Sequence, residues 1–269
     1  MGEVVGQSYV LAYTENVDQL VAALDEEKLN PTVIRATYTK EEEYSRTVRT
    51  FMNHLAAWKR AAEQEGYTLI CEADFVPCKE LGSFPTFWPH DDPVAWGYLY
   101  QGSPRILALI GREKYLRGHA APLVAYVVNA RVARLLCNFF DTEMAKRDPR
   151  VFFPFDGMLQ WGAMARGATA FIPMHHYGEH GGRANPEHGL HGVRRAGEHR
   201  ADNLAGPLHF LPQYCDGSQS TYRLVRAKER LFGFARLLAN KWIVNTSVYP
   251  LSFSDKVEMA AVGLKRLLT

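Results

Sequence analysis

Long apolar runs are missing from this chain: no segment approaches the roughly 20 consecutive apolar residues of a spanning helix, and Met1-Gly2-Glu3-Val4-Val5-Gly6 has no basic leader region. A cytoplasmic protein is expected. Cysteine is scarce. The four cysteines (Cys71, Cys78, Cys137, Cys215) include no Cys-x-x-Cys pair, which excludes a zinc-ribbon or dithiol motif. Cys71 and Cys137 sit in apolar runs, where a free thiol acts as a small hydrophobe, so a reducing compartment fits. Charge of one sign is also lacking. A net +2 gives no global argument for nucleic acid, and no nucleic-acid partner is expected. Internal repeats and low-complexity tracts are absent, which excludes solenoid architectures.

What is present is an ordinary globular composition, 47% hydrophobic and 22% charged over 269 residues, enough for a large core. Ser8 to Tyr13 reads as a strand, Val17 to Glu27 as a helix, and Thr32 to Ala36 as a second strand. Tyr44, Val48, Phe51, Leu55, Trp58 and Ala62 repeat at steps of four and three, placing all six on one helix face. Tyr67 to Cys71 then forms a strand that delivers Glu72-Ala73-Asp74 before Phe75-Val76-Pro77 ends the run. Strand, helix, strand, helix, strand is the signature of parallel βαβ units, which bind ligands beyond the carboxyl ends of their strands.

Past the Pro-rich stretch Phe84 to Pro89, strands are read at Val94 to Tyr100, Ile106 to Ile110 and Leu123 to Val128. Asn129 is read as the cap of a helix to about Phe140; Gly157 to Arg166 is helical and Ala168 to Pro173 a strand. No periodicity runs from His175 to about Leu204, and a loop of that length in a compact domain is functional or mobile. The remainder is helical, with Ser254 read as the cap of Asp255 to Leu268. The expected organisation is an α/β catalytic core over residues 1–174, with the His/Gly-rich loop and helical region of 175–269 in the same compact unit.

On a persisting strand, side chains two apart share a face, so Glu72 and Asp74 would point the same way and offer two hard oxygen ligands to Mg²⁺ or Mn²⁺. Such cations complete their shells with a ligand's phosphates. The competing meaning of Glu-x-Asp is a solvated turn, or Glu72 paired to a lysine. Asp156, before the helical run, is either a general base or a helix cap. His54 is either a hydrogen-bonded core histidine or a group approaching a nucleotide. His176 or His180, in a Gly-rich segment that could close over substrate, is either a third metal ligand, a contact to a diphosphate, or part of a solvated loop. In the last third, Arg223, Arg226, Lys228, Arg230, Arg236 and Lys241 alternate with Leu224, Phe232, Phe234, Leu238 and Trp242. That pattern reads as a helix with one face on the core and a solvated face, or as a basic amphipathic surface near anionic lipid, in peripheral membrane contact, or near a phosphorylated acceptor.

Asn53-His54-Leu55-Ala56-Ala57-Trp58, followed by Leu69-Ile70-Cys71-Glu72-Ala73-Asp74, resembles glycosyltransferase family 25, the lipopolysaccharide-type transferases. There a Ser-His-x-x-x-Trp helix precedes a strand ending Glu-Asp-Asp. Ala125 to Val128 with the run Ala130 to Leu136, and Phe155-Asp156-Gly157-Met158-Leu159, are similar to two later elements of that family, so the likeness spans Ser8 to His176. Asn53 stands where the family has Ser, and Ala73 where it has the central Asp; the arginine after the family's first strand has no counterpart after Tyr13. The resemblance implies a GT-A-like nucleotide-sugar-binding fold with a mostly parallel central sheet flanked by helices and followed by a helical C-terminal region. It further implies a metal-assisted, inverting reaction; donor and acceptor are not carried over from the family, and the expected partners are a nucleotide-sugar donor, a UDP-sugar foremost, and a glycan or glycolipid hydroxyl. Within that chemistry the expected roles are Asp156 as catalytic base, Glu72, Asp74 and His54 at the donor, and Asp74, Glu72, His176 and His180 around Mn²⁺ or Mg²⁺. Two other classes compete: a metallohydrolase built on the histidine loop, and a non-catalytic nucleotide- or glycan-binding protein on the same scaffold.

Overall fold

Strand β1 (Val5–Ala12), helix α1 (Asp18–Glu26), strand β2 (Pro31–Arg35), helix α2 (Arg46–Ala61) and strand β3 (Tyr67–Glu72) follow one another as the apolar periodicities predict. A computed structural model describes residues 1–35, 43–102, 104–120, 122–183, 200–243 and 251–269. β1 pairs in parallel with both β2 and β3, so its carboxyl end lies between theirs. Ala36, read as the end of the second strand, lies outside the described residues.

Beyond β3 the sheet is mixed rather than mostly parallel. Short strand β4 (Phe75–Pro77) leaves the sheet, and β5 (Ala95–Tyr98), β6 (Arg105–Ile110), β7 (Tyr115–His119), β8 (Ala125–Asn129) and β9 (Thr169–Ile172) complete the order β2-β1-β3-β8-β5-β9-β7-β6. β8 is antiparallel to both β3 and β5, and β7 to both β6 and β9; only β5 and β9 add a parallel pair. Parallel neighbours need a long crossover, whereas β6 and β7 are joined by a tight turn carrying Gly111 and Lys114 at positive φ.

Helix α3 (Ala130–Met144) starts where Asn129 Oδ1 accepts from Val132 N at 2.9 Å. Helix α4 (Phe155–Ala165) precedes β9, and β10 (Gly178–His180) pairs antiparallel with β4 in a small second sheet. Helices α5 (Gln219–Leu238) and α6 (Phe253–Leu268) close the described chain. Ser252, not Ser254, caps α6: its hydroxyl accepts from Asp255 N while the Asp255 carboxylate accepts from Ser252 N. The Ser-x-x-Asp spacing makes that reciprocal pair possible only from position 252.

Alternation along β3 sends Ile70 to one side of the sheet and Leu69 and Cys71 to the other. Phe51 and Trp58 of α2 pack with Leu136 of α3 and Leu159 of α4 on the first side; Leu20 and Leu24 of α1 pack with Trp88 and Tyr100 on the second. Burying a side chain such as Leu or Phe is worth about 1.5–3 kcal/mol, so these layers fix where β3 ends.

Candidate functional site

β3 stops at Glu72, and Ala73 and Asp74 form a turn. The alternation expected to aim Glu72 and Asp74 alike therefore does not hold; each is aimed by its own histidine. A relay of buried donors reaches Glu72. Trp58 Nε1–H donates to Tyr126 Oη at 2.7 Å, which leaves the tyrosine proton for Nδ1 of His54 at 2.9 Å, and His54 then donates from Nε2 to Glu72 Oε1 at 3.1 Å. Both nitrogens of buried His54 are thereby occupied. Here it is a core histidine that positions Glu72.

Asp74 faces the small sheet. Gly181 N donates to Asp74 O at 2.7 Å, and His180 lies with Nε2 2.9 Å from Asp74 Oδ2. Burial opposes charge on both groups, but their mutual attraction wins, so His180 is raised above its ordinary pKa and Asp74 held below its own. Gly182 packs against the Asp74 carboxyl so closely that a Cβ there would collide with it. Asp74 Oδ1 and His180 Nδ1 are buried without a hydrogen-bond partner among the described residues.

Glu179 anchors this segment from beneath. Fully buried, it accepts from Ala201 N at 2.9 Å and His180 N at 3.0 Å through Oε1, and from Arg226 at 2.7 Å through Oε2. Burial raises its pKa, against the pull of Arg226. Arg200 donates to the carbonyls of His180 and Gly182 and lies 3.9 Å over the Tyr214 ring. The segment is thus held from both faces, as precise placement of a reacting group requires.

Asp156 enters from the opposite side. Phe155 stacks on Phe51 at 4.1 Å and sits 6.1 Å from the His54 ring, which brings the first turn of α4 toward Glu72. The N-cap of α4 is Pro154, and Asp156 makes no hydrogen bond or ion pair with any described residue, so the capping role has no support. Burial, then the neighbouring Glu72 carboxylate, raise Asp156 to about 7, with His180 pulling the other way. Glu72, Asp74, His180 and Asp156 each keep some solvent contact while crowded by neighbours. Tyr98 Oη, buried near Asp156, has no partner.

His176 lies elsewhere. Its Nδ1 accepts from Gln101 N at 3.1 Å and its Nε2 is 2.9 Å from Asp202 Oδ1, while Arg266 donates to both Asp202 oxygens. Burial lowers His176 to about 4. With both nitrogens engaged it is not offered as a ligand beside Asp74, contrary to the metal set read from the sequence. His188, His191 and His199 lie outside the described residues. Among the described residues no three His, Cys, Asp or Glu side chains converge as a metal cage. A groove of about 590 Å³, lined by Gln19, Arg183, Leu211, Pro212, Gln213, Asp216 and Gly217, opens next to Gly182.

No protein-family profile matches the chain, and no curated protein does. Among solved structures, the chain is similar to a glycosyltransferase involved in the glycosylation of the major capsid of PBCV-1. The TM-score is 0.35 and the identity 12%, over 62% of this chain and 81% of that one. A likeness at that level assigns no residue a role.

Arg200 and Tyr126 escape sequence reasoning, which also reads Arg226 only as one cation of a basic helix and not as the partner of Glu179. Tyr126 sits in an apolar strand like any core tyrosine. The two arginines come from segments far from His180 along the chain, and no local spacing announces them.

Proposed function

We propose that the chain is a glycosyltransferase that moves a sugar from a nucleotide-sugar donor to an acceptor hydroxyl with inversion. The observation that carries this reading is Asp156. It is a carboxyl raised to about 7, without hydrogen-bond partners, facing Glu72 and His180 beyond the carboxyl end of a parallel strand. A base poised near neutrality matches the removal of a hydroxyl proton. In this reading Asp156 takes the proton as the acceptor oxygen bonds to the anomeric carbon, and the bond from that carbon to the diphosphate oxygen breaks.

Two carboxylates without a third protein ligand do not suit a structural zinc cage, but suit a hard cation whose shell is completed by phosphate oxygens. Asp74, through its unpartnered Oδ1, and Glu72 would hold Mn²⁺ or Mg²⁺, which would offset the charge on the leaving diphosphate. His54 keeps Glu72 oriented, and Glu179 with Arg200 keeps the His180–Gly182 backbone in place. The groove lined by Arg183 and Asp216, next along the chain from Gly182, would take the donor nucleoside, a UDP group foremost. A metallohydrolase reading is weakened because His176 is occupied by Gln101 and Asp202.

Thermal-shift measurement with nucleoside diphosphates and nucleotide sugars, with and without Mn²⁺, tests the proposal: a bound donor raises the midpoint by mass action. Metal-dependent binding of a nucleoside diphosphate, with slow donor hydrolysis that disappears in Asp156→Asn, is expected. No shift with any nucleotide would remove the reading. Binding with no turnover under any acceptor would favour the non-catalytic alternative.

A further inference from the structure

Helix α5 leaves much of its apolar surface in solvent. Its only fully buried residue is Gly233. Two of its arginines turn inward, Arg226 to Glu179 and Arg236 to Pro104 O at 3.1 Å, while Arg230, itself exposed, reaches Leu267 O at 2.8 Å. Three of its four leucines turn outward, while Leu237 packs on the core. Leu224, Leu231 and Leu238, seven residues apart, are 71%, 70% and 87% exposed. Large apolar side chains that a helix on a core would bury therefore lie in solvent, beside the exposed cations Arg223 and Lys228.

Helix α6 carries a second stripe. Phe253, Val257, Ala260, Ala261, Leu264 and Leu268 fall at helical spacing and all are exposed, Phe253 by 83% and Leu268 by 64%. The helices pack antiparallel: Arg230 and Gly233 meet Leu267, while Leu237 meets Gly263. On each helix the stripe lies one position past the contact line. Leu231 and Leu238 follow Arg230 and Leu237; Leu264 and Leu268 follow Gly263 and Leu267. A displacement of the same sense on two antiparallel helices falls on the same side, so the stripes form one face. Proteins seldom leave so much contiguous apolar surface uncovered.

We propose that this face docks on an anionic lipid bilayer. The two helices carry eight basic and three acidic residues, and two of the acids are already engaged, Glu258 by Lys114 and Asp255 by the Ser252 cap. Arg223, Lys228, Lys241 and Lys265 remain exposed around the stripes, with the Lys228 ammonium 5.6 Å from the Phe232 ring. Apolar side chains entering the acyl boundary with cations at headgroup level is the arrangement of an interfacial helix. A second copy on the same face fits less well, since a two-fold contact would set these cations against each other. No helix among the described residues is long and apolar enough to cross a membrane, so the contact is peripheral. The docking face stands independently of the reading of the candidate site.

The test is co-sedimentation of the full chain with vesicles of phosphatidylcholine alone and with added phosphatidylglycerol, alongside light scattering for mass. Binding at least about tenfold tighter to the anionic vesicles, weakened by salt, is expected. Leu231→Glu with Leu264→Glu should remove it and leave the unfolding midpoint unchanged. If that variant fails to fold, Lys228→Glu with Lys265→Glu must by itself weaken binding to the anionic vesicles. Equal affinity for both vesicles, no sedimentation with either, or a stable dimer split by the leucine variants would overturn the proposal.

Discussion

His54 Nε2 holds Glu72 Oε1 at 3.1 Å, and the direction of that bond is set two groups away, by the indole proton that Trp58 gives to Tyr126. Tyr126→Phe removes the hub. It leaves Trp58 Nε1 and His54 Nδ1 buried without partners, and each orphaned group costs about 1–3 kcal/mol. Urea unfolding should show a loss in that range. Nitrogen shifts of the His54 ring should show its proton no longer confined to Nε2; a ring unchanged in the variant would refute the relay.

Asp156 is the second handle. A rate that depends on its charged form should rise about tenfold per pH unit below 7 and level off above it. Asp156→Asn should cut turnover by about 10²–10⁴-fold with donor affinity nearly kept. Stability should respond with a definite sign. Because the folded carboxyl is raised above its unfolded value, its contribution is full below about 4 and lost as pH rises through about 7. The asparagine variant should therefore gain on the wild type at pH 8.5 and match it at pH 4, measured by chemical denaturation.

His180 and Asp74 give a further handle on pH. His180 is raised by its partner, so the stability it lends is complete below its ordinary value near 6.5 and fades as pH climbs through the raised one. His180→Gln should cost stability at pH 6 and little at pH 9. Parallel stability curves for the two proteins would show that the pair contributes nothing.

Arg266→Ala should be severe. The guanidinium is buried against Asp202 and His176, and breaking a buried pair by removing one partner costs about 3–5 kcal/mol. As Arg266 ties α6 to the rest of the fold, limited proteolysis should cut first between α5 and α6.

Trp58→Ala should cost about 3–5 kcal/mol in an equilibrium unfolding measurement, since the ring is wholly buried between Phe51 and His54. A midpoint equal to the wild type would contradict that packing.

Local periodicity carries the first half of the molecule. The steps of four and three in α2, the apolar run of β3 and the Asn129 cap each write their element into a few adjacent residues, because backbone geometry alone sets those spacings. The parallel trio β2-β1-β3 follows from strands separated by helices. The antiparallel remainder does not, because pairing between β8, β5, β9 and β7 depends on connections with no periodic signal. In the site, sequence reasoning reaches the carboxylates and histidines, residue types that chemistry makes conspicuous. It aims Glu72 and Asp74 by strand alternation, yet the turn at Ala73 ends the strand and two histidines aim them instead. His176 and His180 are indistinguishable as neighbours in a Gly-rich run; only packing sends one to Asp202 and the other to Asp74. The same holds for α5, whose alternation of cations and leucines has two possible orientations. Sequence determines that the helix has two faces. Which face meets the protein was decided in three dimensions, by Glu179 and the Pro104 carbonyl drawing Arg226 and Arg236 onto the protein and leaving Leu224, Leu231 and Leu238 outside.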